Sequence, residues 1–82
     1  MGAIAPPEPR NDWCAHIGAK LLSCRQELGQ SQRAVASEIE ISYSHFCDLE
    51  NGKHAPSAHM LWRLSEFFQV DPGWWYEGYE GE

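Results

Sequence analysis

The sequence predicts an all-α fold, a compact bundle of four to five short helices. Three observations predict it. Apolar residues recur at steps of three and four along several separate stretches, the spacing of one helix face. Each such stretch follows an Asn, Asp or Ser able to cap a helix N-terminus. No stretch alternates apolar and polar residues with a period of two, so strands are not indicated.

The first helix follows Asn11 or Asp12 as N-cap and carries Trp13, Ile17, Leu21, Cys24 and Leu28 on one face. Gly29 supplies its stop, because glycine takes a left-handed conformation at little cost. Ser31 caps a second helix of about two turns with Val35, Ala36 and Ile39 inward, and its apolar pattern breaks at Glu40. Ser42 caps a third, from Tyr43 to Glu50, with Phe46 and Leu49 inward and a stop at Asn51-Gly52. Its outer face is expected to carry Tyr43, Ser44, Cys47 and Asp48, with His45 nearer the flank. Ser57 caps a fourth helix in which Leu61, Leu64 and Phe68 follow helical spacing. Asp71 followed by Pro72 then starts a short fifth helix through Trp74 and Trp75.

At 82 residues the chain is one domain, which buries about 60–65% of the surface its unfolded form exposes. Residues 1–11, "MGAIAPPEPRN", have no periodicity and read as a flexible arm; 12–78 form the domain; 79–82 form an acidic tail, with fraying expected beyond Gly78. No apolar run approaches the roughly 20 residues of a membrane span, and the start lacks a signal-peptide core. Pro6 stands where a myristoylation signal requires Ser or Thr. A cytoplasmic protein is therefore expected. Cys14, Cys24 and Cys47 are odd in number and widely spaced, which fits reduced thiols; without a CxxC or HxxxH pair, neither metal nor cofactor is expected. No nucleophile motif or phosphate-cradling glycine loop is visible, so catalysis is not expected either.

Two short helices joined through "EIS", the second with a polar outer face, make the layout of a helix-turn-helix. Charge argues against a polyanion partner at first sight. The net −6 divides into −1 for residues 1–15, −1 for 16–70 (five basic, six acidic) and −4 for 71–82. Most of the acid therefore sits in the tail.

Four longer motifs carry a specific resemblance. "IGAKLLSCRQELGQSQ", "VA" at 35–36, "FCDLENGKHAPS" and "LWRLSEFFQVDPGWWYEG" together resemble the lambda repressor and Cro-like (XRE) helix-turn-helix domains over Ile17 to Gly78. The resemblance implies a structural ion pair between Arg25 and Glu50, which would fix the reading helix to the scaffold. It implies base reading from Tyr43, Ser44 and Asp48: Ser donates or accepts, Asp accepts from cytosine N4, and Tyr packs on a thymine methyl. It implies phosphate contacts from Ser31 and Gln32 at the second helix, and from Asn51, Lys53 and His54 after the third. Where the family usually has Gly at the turn, this chain has Glu40, at a cost of order 1 kcal/mol. Asp48 is the sharper departure, since a carboxylate facing the groove repels phosphate.

Four tryptophans exceed what so small a core hides; although some could fill it, Trp62, Trp74, Trp75 and Tyr76 are expected at a homodimer interface. The expected function is a sequence-specific DNA-binding transcriptional regulator, a small repressor of phage, mobile-element or restriction-controller type, binding double-stranded DNA at a palindromic operator. The alternative is a protein-interaction module on the same scaffold, an antitoxin, antirepressor or adaptor that docks a protein partner through the acidic, aromatic C-terminus.

Overall fold

The computed structural model describes residues 12–80. Among them the fold is all-helical: α1 (Asp12–Leu28), α2 (Gln32–Glu38), α3 (Tyr43–Glu50), α4 (Ala58–Phe68) and a 3₁₀ turn (Pro72–Tyr76). The arm at residues 1–11 and the last two residues of the tail lie outside the described residues. No helix of the described residues is long and apolar enough to cross a membrane.

The caps explain where the helices start. Ser31, Ser42 and Ser57 each accept, through Oγ, the N–H three residues on, from Ala34, His45 and Met60 at 3.0 Å. Asp71 accepts from the Gly73 N–H at 2.9 Å, with Pro72 filling the first position, where no N–H is needed. Helix 1 begins at Asp12, so the expectation of Asn11 or Asp12 as its cap falls at the edge of the described residues.

Three helices end in one motif. After α1, the Gly29 N–H bonds the Gln26 carbonyl and the Gln30 N–H the Arg25 carbonyl. The same pair of bonds recurs at Gly52 and Lys53 after α3, and at Glu40 and Ile41 after α2. The residue at the left-handed position has φ 70° at Gly29, 77° at Gly52 and 62° at Glu40. At the corner of the helix-turn-helix a side chain occupies this conformation, as Gln69 does after α4 at φ 59°, where the Val70 N–H bonds the Ser65 carbonyl. Replacing Glu40 by Gly removes that strain, against a larger loss of backbone freedom on folding. A net gain of about 0.5–1 kcal/mol is expected, raising the thermal midpoint by about 2–8 °C. A midpoint that falls in Glu40→Gly would mean that the Glu40 side chain itself supports the corner.

The core is formed by Ile17 and Leu21 of α1, Val35 and Ala36 of α2 with Ile39 beside them, Phe46 and Leu49 of α3, Leu61 and Leu64 of α4, and Trp75. Helix 1 packs closely on α3, because a Cβ at Gly18 would stand 2.5 Å from the Glu50 carbonyl oxygen. Backbone therefore meets backbone at this crossing, which fixes the C-terminal end of α3 against the longest helix.

The expectation for Trp75 is corrected here. Its side chain is fully buried and donates through Nε1 to Ser65 Oγ at 2.7 Å, so it belongs to the core and not to a surface for a second subunit. Ser65 Oγ in turn donates to the Leu61 carbonyl at 2.8 Å, and a buried hydroxyl is satisfied on both sides. The His16 ring reaches the Trp75 carbonyl at 2.8 Å through Nε2, which is then the protonated nitrogen, since a carbonyl only accepts. Beyond Gly78, Tyr79 packs edge-on against Trp13 at 5.1 Å and beside His16 at 5.3 Å. Tyr76 stacks on the same Trp13 at 5.2 Å.

Candidate nucleic-acid interface

The C-terminal end of α3 is held by a small polar network. Arg25 Nε donates to Glu50 Oε2 at 2.6 Å and Arg25 Nη2 to Glu50 Oε1 at 3.2 Å, a two-point contact between planar groups. Arg25 Nη1 also donates to the Gln30 carbonyl at 2.9 Å, tying α3 to the α1–α2 connection. The Glu50 side chain is 4% exposed and that of Arg25 17%. The bond to Glu50 raises the Arg25 pKa above the ordinary arginine value, with desolvation opposing.

Gln32, expected at a phosphate, joins this network. Its Nε2 donates to Glu50 Oε1 at 2.8 Å, and its Oε1 accepts weakly from Cys47 Sγ at 3.5 Å. The amide is turned inward because Glu50 has acceptor capacity left after Arg25. The N-terminus of α2 is thereby clamped to α3, with Ser31 exposed at its rim.

Arg33 lies at that rim, and sequence reasoning did not single it out. Its guanidinium sits 4.1 Å from the centre of the Tyr43 ring, a cation–π pair joining the first turn of α2 to the first turn of α3. The signal was present in the sequence: Arg33 and Lys53 are the only cations between Ser31 and Lys53, and the helix-turn-helix sets the starts of both helices side by side. Tyr43 is 40% exposed. A hydrogen bond with Cys47 raises its phenol above the ordinary value, so the ring adds no negative charge at neutral pH.

Ser44 and His45 follow Tyr43 on exposed positions at the N-terminal half of α3, while Cys47 and Asp48 are half-buried one turn on. The Asp48 carboxylate is not alone. His54 Nε2 lies 3.5 Å from its Oδ2, so one of the expected phosphate contacts is directed at the acid that would repel phosphate. Asn51 and Lys53 are exposed beyond the end of α3 and remain available. Burial raises the Cys24 thiol pKa, with Glu27 adding to the effect and Lys20 opposing it, which keeps that thiol protonated. Among the described residues, no group of three His, Cys, Asp or Glu comes together as a metal site.

Of the expected interface aromatics, Trp62 and Tyr76 are exposed, at 54% and 56%. Trp74 is half-buried, with the Lys20 ammonium 4.1 Å from its ring centre.

Residues 18–81 match the family model of a helix-turn-helix domain. No curated protein and no solved structure matches the chain.

Proposed function

Because the chain belongs to the helix-turn-helix domain family, we propose that it is a sequence-specific DNA-binding transcriptional regulator. The observation that carries this reading is the shared polar rim of α2 and α3. Tyr43 and Ser44 stand exposed at the start of the second helix, with the Arg33 cation against Tyr43, on a scaffold clamped by Arg25, Gln32 and Glu50. In this reading α3 enters the major groove, with Tyr43, Ser44 and Asp48 at base edges, and Ser31, Arg33, Asn51 and Lys53 at phosphates. The His54 ring stands 3.5 Å from the Asp48 carboxylate, which in this reading accepts from a cytosine amine.

The protein acts as a small cytoplasmic repressor without enzymatic activity, two copies binding a palindromic operator with reading helices about 34 Å apart. A dimer fits a surface this acidic. One copy offers few cations to phosphate, and two on one duplex double that number.

Fluorescence anisotropy with a duplex selected from a randomised pool, compared with its scrambled counterpart across a salt series, tests this. Preference for the selected duplex and a salt slope of several phosphates are expected. Lys53→Ala is expected to weaken binding to all sequences and to lower the salt slope by about 1, whereas Ser44→Ala blunts discrimination by about 1–3 kcal/mol. Absence of any DNA binding at 50 mM salt would overturn the reading and turn the same scaffold toward a protein partner.

A further inference from the structure

We propose that Arg33 is a positioning residue for base recognition: by holding the Tyr43 ring, it presents that ring to the 5-methyl group of a pyrimidine in the major groove. This inference rests on the DNA-binding function proposed above and names what one of its contacts reads. A residue of the bracing helix thus governs sequence discrimination as well as affinity. Arg33 is the second residue of α2 and Tyr43 the first of α3, and both are exposed. The guanidinium carbon stands 4.1 Å from the ring centre.

The stability of the fold does not account for this contact. A cation in the first turn of a helix works against the helix dipole, so α2 gains nothing from Arg33 at that place. Among the described residues the ion pairs are Arg25 with Glu50 and His54 with Asp48, which leaves the ring as the partner of the Arg33 guanidinium. Tyr43 is 40% exposed, and a cation–π pair on so open a surface favours the paired arrangement only about 2- to 5-fold. That is little for folding and enough for recognition. An aromatic side chain that must stop turning when DNA arrives loses affinity, and one already held loses less.

The chemistry of the ring chooses the ligand. Among the groups that B-DNA presents in the major groove, a methyl is the one that an aromatic ring covers without leaving a polar atom unpaired. Thymine and 5-methylcytosine both carry it. Ser44 and Asp48, one turn apart on the neighbouring stripe of α3, are left the polar edges. A guanidinium laid against a ring keeps its N–H groups along its own edge, free for a phosphate. One side chain therefore touches the backbone and aligns a base reader, and the two roles separate by experiment because only the second depends on sequence.

Anisotropy of the full chain with duplexes altered by one methyl group tests this. Each thymine of the selected duplex is replaced in turn by deoxyuridine, which removes the methyl, and each cytosine by 5-methylcytosine, which adds one. At one position the wild-type chain is expected to prefer the methylated base about 4-fold, the effect of burying one such group. Tyr43→Ala is expected to bring that ratio to about 1, and Arg33→Gln to below about 2. Arg33→Gln combined with Tyr43→Ala leaves it at about 1, because the two residues act through one ring. Lys53→Ala weakens binding to both duplexes alike and keeps the ratio at about 4. Arg33→Lys, which keeps a cation beside the ring, is expected to recover about half of the lost preference, a rescue that misfolding would not give. Residues 33 and 43 are exposed and glutamine suits a helix, so the circular dichroism spectrum of Arg33→Gln is expected to be unchanged. A wild-type ratio in Arg33→Gln, with every duplex weakened alike, overturns the positioning role and leaves Arg33 as a phosphate contact. A wild-type chain that binds DNA with no methyl preference at any position overturns the inference while the DNA-binding reading stands. One that binds no duplex at about 50 mM salt overturns both.

Discussion

Arg25→Met is expected to lose about 3–5 kcal/mol of stability, the range seen when one partner of a buried ion pair is removed. A chain this size has roughly 4–12 kcal/mol in all, so the variant stands near the edge of folding. The cost arises from what is left behind. Glu50 is 4% exposed and would keep only the Gln32 amide, while the Gln30 carbonyl loses its donor. The midpoint of thermal unfolding, followed by circular dichroism, is expected to fall by about 12 °C or more. Arg25→Met with Glu50→Leu is expected to recover most of the loss, because an apolar pair leaves no buried charge unpaired. A single variant melting within about 3 °C of the wild type would place the pair at the surface in energetic terms. The sign of its pH response is fixed as well. The Arg25 pKa is raised in the folded chain, so its contribution is present below the ordinary arginine value and is lost only as pH rises through the higher one. Moderately alkaline solution therefore leaves the pair intact.

The functional consequence follows from position. Glu50 is the last residue of α3, and Gln32 the first of α2. One carboxylate thus ties α3 to both of its neighbours, through a bond of 2.6 Å to Arg25 of α1 and one of 2.8 Å to Gln32 of α2. The acidic balance of Ser31 to Lys53, two basic and four acidic residues, reads differently once sorted in this way. Glu50 is consumed inside the fold, Asp48 is faced by His54, and Glu38 lies on a groove beside α4. Glu40 alone is left as an uncompensated acid at the corner.

What the sequence made legible was local. Ser31, Ser42, Ser57 and Asp71 cap, and Gly29 and Gly52 terminate, because each acts on backbone groups within a few residues. Glu40 in a left-handed conformation was legible only through the resemblance, since nothing in its own chemistry selects that shape. What remained hidden depends on contacts distant in sequence. Gly18 reads as an ordinary helical position until the end of α3 is laid across it, and Gln32 reads as a surface amide until Glu50 is placed beside it. Arg33 reads as one cation among few until the turn brings it over Tyr43. The 3₁₀ turn defeats period counting for a different reason. At three residues per turn, over five residues, a helical spacing rule cannot say which of Trp74, Trp75 and Tyr76 faces inward.

Trp75→Ala is expected to cost about 3–5 kcal/mol, the range for deleting a large buried aromatic. Trp75 closes the core beneath the 3₁₀ turn. Its removal leaves a cavity and unpairs one side of Ser65, although Ser65 keeps its bond to the Leu61 carbonyl. The midpoint is expected to fall by about 12 °C or more. Concentration separates this from an interface role. Unfolding of a dimer shifts to higher temperature as protein is added, because association is linked to folding by mass action. A core residue lowers the midpoint without flattening that dependence, so Trp75→Ala should fall by a similar amount at 5 μM and at 200 μM. Were Trp62 at the contact of the proposed dimer, Trp62→Ala would do the reverse, with little loss at 5 μM and a flattened rise toward 200 μM. If Trp75→Ala flattened the dependence and spared the dilute midpoint, the indole would belong to the subunit contact after all. The two tryptophans thus differ in a way that their sequence neighbourhoods do not show: Trp75, hydrogen-bonded to Ser65, completes the core, and Trp62 is left 54% exposed.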